Sequence, residues 1–302
     1  MGTHFQIAPE VAAALAGGRP VVALESTIIS HGLPRPDNER IAAEIENAVR
    51  AGGAIPATIA LLDGVVHVGL MAAELNRLAN SDDVVKASTR DLGTVIARRL
   101  AGATTVAATA FLAQHAGIRV FATGGLGGVH RIPYDESADL VALATTPIVV
   151  VCAGVKSILD VAATLERLET LGIPVLGVGT DRFPGFFLHD SGFDVPWRVD
   201  SAAEVAAILR ARDALGLRAA IIAAQPLPAG EAIDPQLHDR VLSEGLALAT
   251  ENGVVGKDVT PFLLSYFHTA TDGATLTANV RLVLRNATFA AQVARELAES
   301  AA

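Results

Sequence analysis

Lysine is so scarce in this chain that two of the three present stand out as candidates for chemistry. Of 23 Lys and Arg residues, only Lys86, Lys156 and Lys257 are lysines. Lys86 (DDVVKASTRD) and Lys156 (PIVVVCAGVKSILD) each follow a short apolar run of the β-branched kind that forms buried parallel strands. An amine at the end of such a strand is partly desolvated, which lowers its pKa and frees a neutral nucleophile. The plainer alternative is lysine filling a place where arginine does not fit. Glu25, directly after the apolar VVAL, is a second candidate. A carboxylate there is costly to bury, and reads either as a general acid or base with a raised pKa or as an ion-paired or capping glutamate.

Two further segments carry polar groups in dense spacing. FATGGLGGVHR places Thr123 and four glycines ahead of His130 and Arg131, a loop whose N–H groups can approach an anion. It is not a dinucleotide fingerprint, and GVVGKDVT is not a P-loop. In YDESADL, Asp135, Glu136 and Asp139 crowd into five residues. Such carboxylates suit a hard divalent cation, or simply form the acidic start of a helix. The histidines have no zinc-site spacing. The single cysteine, Cys152, sits inside VVVCAG and reads as a small core residue.

These groups need a scaffold, and the chain describes one. Strand-like runs recur at residues 20–26, 53–64, 82–88, 119–125, 146–154, 173–180 and 217–224. Helical patterns lie between them, at 35–52, 71–80, 157–172 and 201–216. This alternation predicts an α/β fold with a mostly parallel sheet flanked by helices. From Asp234 onward the pattern is helical only, giving a helical C-terminal portion. No linker or repeat interrupts it, so residues 1–302 are expected to form a single domain. Ligands of open α/β sheets bind beyond the carboxyl ends of the strands. Glu25, Lys86, Thr123 to Gly128 and Lys156 are therefore expected to share one rim. The chain is 51% hydrophobic without any unbroken span of membrane length, and carries a net charge of −9. It lacks a signal-peptide pattern at its start. A cytoplasmic protein that binds neither nucleic acid nor membrane is expected.

In order and spacing, ALESTIISHG, KASTRD, FATGGLGGVHR, SADL, VVVCAGVKSILD, GKDVTPFLL and TANVRLVLRNA resemble the pseudouridine-5′-phosphate glycosidase (indigoidine synthase A-like) family. The resemblance spans about Ile7 to Leu297. It implies a pseudouridylate synthase, classed as a carbon–oxygen lyase, that reversibly cleaves pseudouridine 5′-phosphate to ribose 5-phosphate and uracil. By that resemblance Lys156 is the Schiff-base lysine and Glu25 the proton donor. Lys86, Val106, Ser137, Ala138 and Asp139 are substrate contacts, Asn279 lies near the sugar, and Asp135 binds one Mn²⁺ per subunit. Thr123 and His130 are expected at the substrate from the glycine-loop reading. A homotrimer is implied, and the TTVAAT segment is expected to be a turn that holds phosphate or sugar.

The scissile bond joins two carbons, so the usual pair of glycosidase carboxylates has no heteroatom leaving group to protonate. A lysine imine offers another route. Two other readings remain open on the residues alone. One is a different Schiff-base lyase acting on a sugar phosphate; the other is a non-catalytic sugar-phosphate binding protein.

Overall fold

The computed structural model describes residues 4–131 and 135–299. Eleven strands occur among them. They are β1 (Phe5–Ile7), β2 (Val21–Leu24), β3 (Ile55–Leu62), β4 (Val65–Val68), β5 (Val85–Ala87), β6 (Gly102–Thr104), β7 (Val120–Ala122), β8 (Val149–Cys152), β9 (Val175–Val178), β10 (Trp197–Val199) and β11 (Ile221–Ala224). The order β3-β2-β7-β8-β11-β9-β10 forms a continuous sheet in which every neighbouring pair is parallel. β8 shows why the centre is stable: all four residues of VVVC are fully buried between β7 and β11. Burying a valine side chain contributes roughly 1.5–3 kcal/mol. Here β-branching also suits the pleated surface. Within this core Cys152 has its thiol pushed up to about 12 by burial, so it behaves as an inert apolar side chain.

The expected seven strands are present, and β1, β4, β6 and β10 are additional. Three of these four are only three residues long and the fourth is a four-residue hairpin partner, too short for periodicity to reveal. They change the architecture at one place. β4 and β6 both pair antiparallel with the second half of β3, and β5 runs parallel to β6. β2 pairs with the first half of β3, so β2 and β6 run toward each other along it. Their ends meet at Ile59, whose carbonyl accepts hydrogen bonds from Ser26 Oγ (2.7 Å) and Thr104 Oγ1 (2.6 Å).

Several helix boundaries and one turn differ from expectation. The helix expected at 35–52 spans Asp37–Ala51, after Pro36. Residues 157–160 are a loop, because the Asp160 carboxylate accepts the Ala163 N–H (3.0 Å) and starts the helix at Val161. The TTVAAT segment is no turn. It is the end of β6 followed by a helix, Val106–His115, capped by Thr105.

The C-terminal portion is helical as expected, with helices Pro235–Glu251, Val259–Ala270 and Ala274–Glu299. The last of these lies across β2, β7 and β8 and packs on the Asp37–Ala51 helix. Gly52 permits that approach, since a Cβ there would stand 2.5 Å from Ala291 Cβ. No helix among the described residues is long and apolar enough to cross a membrane.

Candidate active site

A cavity of about 350 Å³ opens at the meeting point of β2, β6, β7 and β8. Glu25, the residue after β2, enters it half-buried and accepts a hydrogen bond from Thr123 Oγ1. Burial pushes the Glu25 carboxyl above its ordinary range. The Lys156 ammonium and the Thr123 hydroxyl oppose this, Asp139 adds to it and Lys86 opposes it more weakly. A proton held above the usual carboxylate range is what a general acid requires. Directly after Glu25 comes a π-helical turn, Ile28–Gly32, which brings Thr27, Ile28 and His31 to the same wall.

Lys156 follows β8 by four residues, and main-chain hydrogen bonds fix its place. The strand pairing continues beyond β7 and β8 through Ala153 N–H to Gly124 O (2.9 Å) and Leu126 N–H to Gly154 O (2.9 Å). Lys156 N–H then donates to Leu126 O (3.1 Å). The glycine loop and the lysine loop are thus one zipped unit. Asn286 of the C-terminal helix secures it: fully buried, it donates from Nδ2 to Thr123 O (2.9 Å).

Lys86 reaches the cavity by another path than the one expected. It is the middle residue of β5, which does not belong to the parallel rim, and it arrives because β5 rides on β6. Burial lowers its pKa, the charge on Lys156 lowers it further, and Asp139, Glu25 and Asp258 partly restore it. Asp139 is buried and spans the two sources of the site. One oxygen accepts the Ala107 N–H at the start of the Val106–His115 helix, and the other accepts the Gly127 N–H (2.9 Å each). Gly127 must be glycine here, since a Cβ would stand 2.2 Å from Ser137 Oγ. Ser137 itself caps the Ala138–Ala144 helix.

His130 and Asp135 close one side. His130 N–H donates to Asp135 O (2.9 Å), and His130 Nδ1 lies 3.8 Å from Asp135 Oδ2. Burial holds the His130 pKa low; Asp135 opposes this, while Lys86 and Lys156 reinforce it. Glu136 is taken up by Arg167 at 3.0 Å. Among the described residues no three His, Cys, Asp or Glu side chains cluster as a metal cage.

The candidate site residues read from the sequence meet at this place, whereas Arg131 and Cys152 do not line it. Glu25, Lys86, Val106, His130, Asp135, Ser137, Ala138, Asp139, Lys156 and Asn279 all line the cavity, and Thr123 stands behind Glu25. Residues 132–134, between His130 and Asp135, lie outside the described part, and the Lys257 side chain is likewise not described. Reading for chemistry overlooked Arg90, Asp91, His31 and Thr260, although each lies in a segment that carries the resemblance. Asn286 also lies in such a segment, whereas Phe186 had no signal. Phe186 adopts the left-handed backbone region (φ 63°) and packs so tightly on Gly125 that a Cβ there would meet its ring at 2.6 Å.

The chain is similar to other proteins over nearly its whole length. The family model for indigoidine synthase A like protein matches residues 10–296. A pseudouridine-5′-phosphate glycosidase from Salinispora tropica is 62% identical over 96% of this chain and 91% of its own length. One from Frankia alni is 57% identical over 97% of this chain and 82% of its own. Among solved structures, the prealnumycin C-glycosynthase AlnA in complex with ribulose 5-phosphate superposes with a TM-score of 0.92 at 36% identity, covering 100% of this chain and 99% of its own. An indigoidine synthase A-like protein from Thermotoga maritima gives 0.91, also at 36%, covering 99% and 98%. The chain belongs to the indigoidine synthase A-like family, the family of the pseudouridine-5′-phosphate glycosidases.

Proposed function

We propose that this enzyme reversibly converts pseudouridine 5′-phosphate and water into ribose 5-phosphate and uracil through an imine on Lys156. One observation carries the reading: Lys156 and Glu25 converge on one cavity, each from the carboxyl end of an adjacent part of the parallel sheet. The names of the relatives support the substrate, and the ribulose 5-phosphate held by AlnA supports a sugar phosphate in a cavity of this fold.

Glu25 gives its proton to the ring oxygen as the bond from that oxygen to the anomeric carbon breaks, with electrons supplied by the uracil ring. The Lys156 amine adds to the anomeric carbon and loses a proton to Glu25. That proton passes to uracil carbon 5, the carbon–carbon bond breaks, and the nitrogen lone pair closes the C=N bond. Uracil leaves, and water hydrolyses the imine to release ribose 5-phosphate and the free amine. Lys86, which lines the cavity, holds the phosphate and so turns binding energy into positioning.

A divalent ion is implied by the family resemblance, and the bonding in the acidic segment is compatible with Asp135 as its ligand. Main-chain N–H groups occupy Asp139 and Arg167 occupies Glu136, which leaves the Asp135 carboxylate facing the cavity. Asp135 would hold Mn²⁺ with waters or substrate oxygens completing its shell. Bound there, such an ion would supply positive charge to substrate oxygens. The same reading carries one Mn²⁺ per subunit, a homotrimer and a cytoplasmic location. Sedimentation of the purified protein checks the trimer.

Borohydride added with ribose 5-phosphate tests the imine. The expected result is a reduced sugar-phosphate adduct mapping to Lys156 by peptide mass; an adduct on another residue, or none in an active preparation, refutes the step.

A further inference from the structure

Thr123, expected at the substrate, does not line the cavity. It is only 1% exposed, and its hydroxyl stands behind the Glu25 carboxyl. Three directed bonds fix it there. Its N–H donates to Val151 O (3.0 Å), its carbonyl accepts from Asn286 Nδ2 (2.9 Å), and its Oγ1 donates to Glu25 Oε1. The first two tie the backbone to β8 on one side and to the C-terminal helix on the other, which sets where the hydroxyl stands. A carboxylic acid carries its proton on one oxygen and accepts with the other. A donor aimed at Oε1 makes that oxygen the acceptor, so Oε2 is left to carry the proton. The charged groups that act on this carboxyl come from other elements: Lys156 from the loop after β8, Asp139 from the Ala138–Ala144 helix and Lys86 from β5. His31, on the π-helical turn that follows Glu25, lines the same cavity. Their charges bias the carboxyl as a whole, whereas a bonded donor tells one oxygen from the other.

We propose that Thr123 is a positioning residue for the acid rather than a substrate contact: its hydroxyl holds Glu25 Oε1 as acceptor and directs the transferable proton to Oε2. This inference rests on the reading of Glu25 as general acid given above. The same bond favours the carboxylate and so tempers the rise that burial imposes on Glu25. Asn286 acts one step further back, through the main chain of Thr123.

Thr123→Val removes the hydroxyl at nearly constant volume, and Thr123→Ser keeps it. The Glu25 carboxyl is titrated without substrate by carbon-13 NMR on protein labelled at the glutamate carboxyl carbons, its resonance identified by its absence in Glu25→Gln. In Thr123→Val the midpoint is expected to move up by roughly 1–2 pH units, the loss of one hydrogen bond to the charged form. Thr123→Ser is expected to return it toward the wild-type value. An unmoved midpoint overturns the proposal. So does a downward shift, which would mean that the hydroxyl accepts from the acid instead of donating to it. This titration needs no turnover, so it decides the point even if the protein releases no uracil. Kinetics supply the second readout. For uracil release from pseudouridine 5′-phosphate, Thr123→Val is expected to lower kcat about tenfold with KM unchanged and the alkaline limb displaced upward. Added to Glu25→Gln, the same substitution costs nothing further, because Thr123 acts through Glu25. A raised KM with kcat intact would make Thr123 a substrate contact, and an equal loss in both backgrounds would make its role merely structural; either result overturns the proposal.

Discussion

The two halves of the cavity are built differently. Glu25, Thr123 and Lys156 stand on β2, β7 and β8, neighbouring strands of the parallel sheet whose residues are buried almost throughout. Lys86 lies on β5 and Val106 opens the helix after β6; these three-residue strands run the opposite way, with β6 on the far half of β3 and β5 on β6. The first half is over-determined by packing, zipped loops and the buried Asn286. The second depends on a few joints, chiefly the Ile59 carbonyl and the Asp139 carboxylate. The groups that must hold sub-ångström geometry for bond making stand on the rigid half, and those that only need to grip an anion stand on the lighter one.

This division makes graded predictions. Glu25→Gln keeps the shape and the hydrogen bond from Thr123 but cannot deliver a proton. Its kcat is expected to fall by about 10²–10⁴ with little change in KM, measured as uracil release. The pH profile sharpens the point. Because the Glu25 pKa is raised, the proton-delivering form persists above the ordinary carboxylate range and is lost as pH rises through the raised value. That limb should vanish in the variant. The stability sign follows from the same shift. The folded state binds this proton more tightly than the unfolded state does, so Glu25 lowers stability as pH climbs from the unfolded to the folded pKa, and the loss persists above it. Glu25→Gln should therefore melt higher than wild type at neutral pH, a loss of activity with a gain in stability. A lower melting temperature would contradict the burial reading.

Lys86→Met probes the lighter half. The loss of one charge-assisted contact predicts a KM for pseudouridine 5′-phosphate about 10–100-fold higher, with kcat less affected. A change confined to kcat would break the distinction between the halves. Asp139→Asn acts on the joint between them. Its amide nitrogen would face one of two main-chain N–H donors, costing about 1–3 kcal/mol of stability by thermal or denaturant melting. A variant as stable as wild type would mean that Asp139 does not brace the site.

Much of the rigid half was legible before any coordinates. VVAL, RVFA and VVVC are unbroken apolar runs of strand length, and the carboxyl-edge rule places Glu25, Thr123 and Lys156 together. Lys86 was brought to the correct cavity by the wrong path, since GAT at β6 has no apolar periodicity to announce a strand, still less its direction. The brace at Asp139 and the clamp at Asn286 were also hidden. Their bonds join residues 32 and 163 positions apart, and no local pattern records such a distance. The acidic spacing of YDESADL could be read as metal site or helix start. The structure assigns Ser137 and Asp139 to the helix start and turns Asp135 toward the cavity.

The most direct test is chromatographic measurement of uracil released from pseudouridine 5′-phosphate by the wild-type protein and by Lys156→Ala, each with Mn²⁺ present. The account predicts release by the wild type and none by a folded Lys156→Ala. Release that survives in the variant, or a folded wild type that releases no uracil, would contradict it.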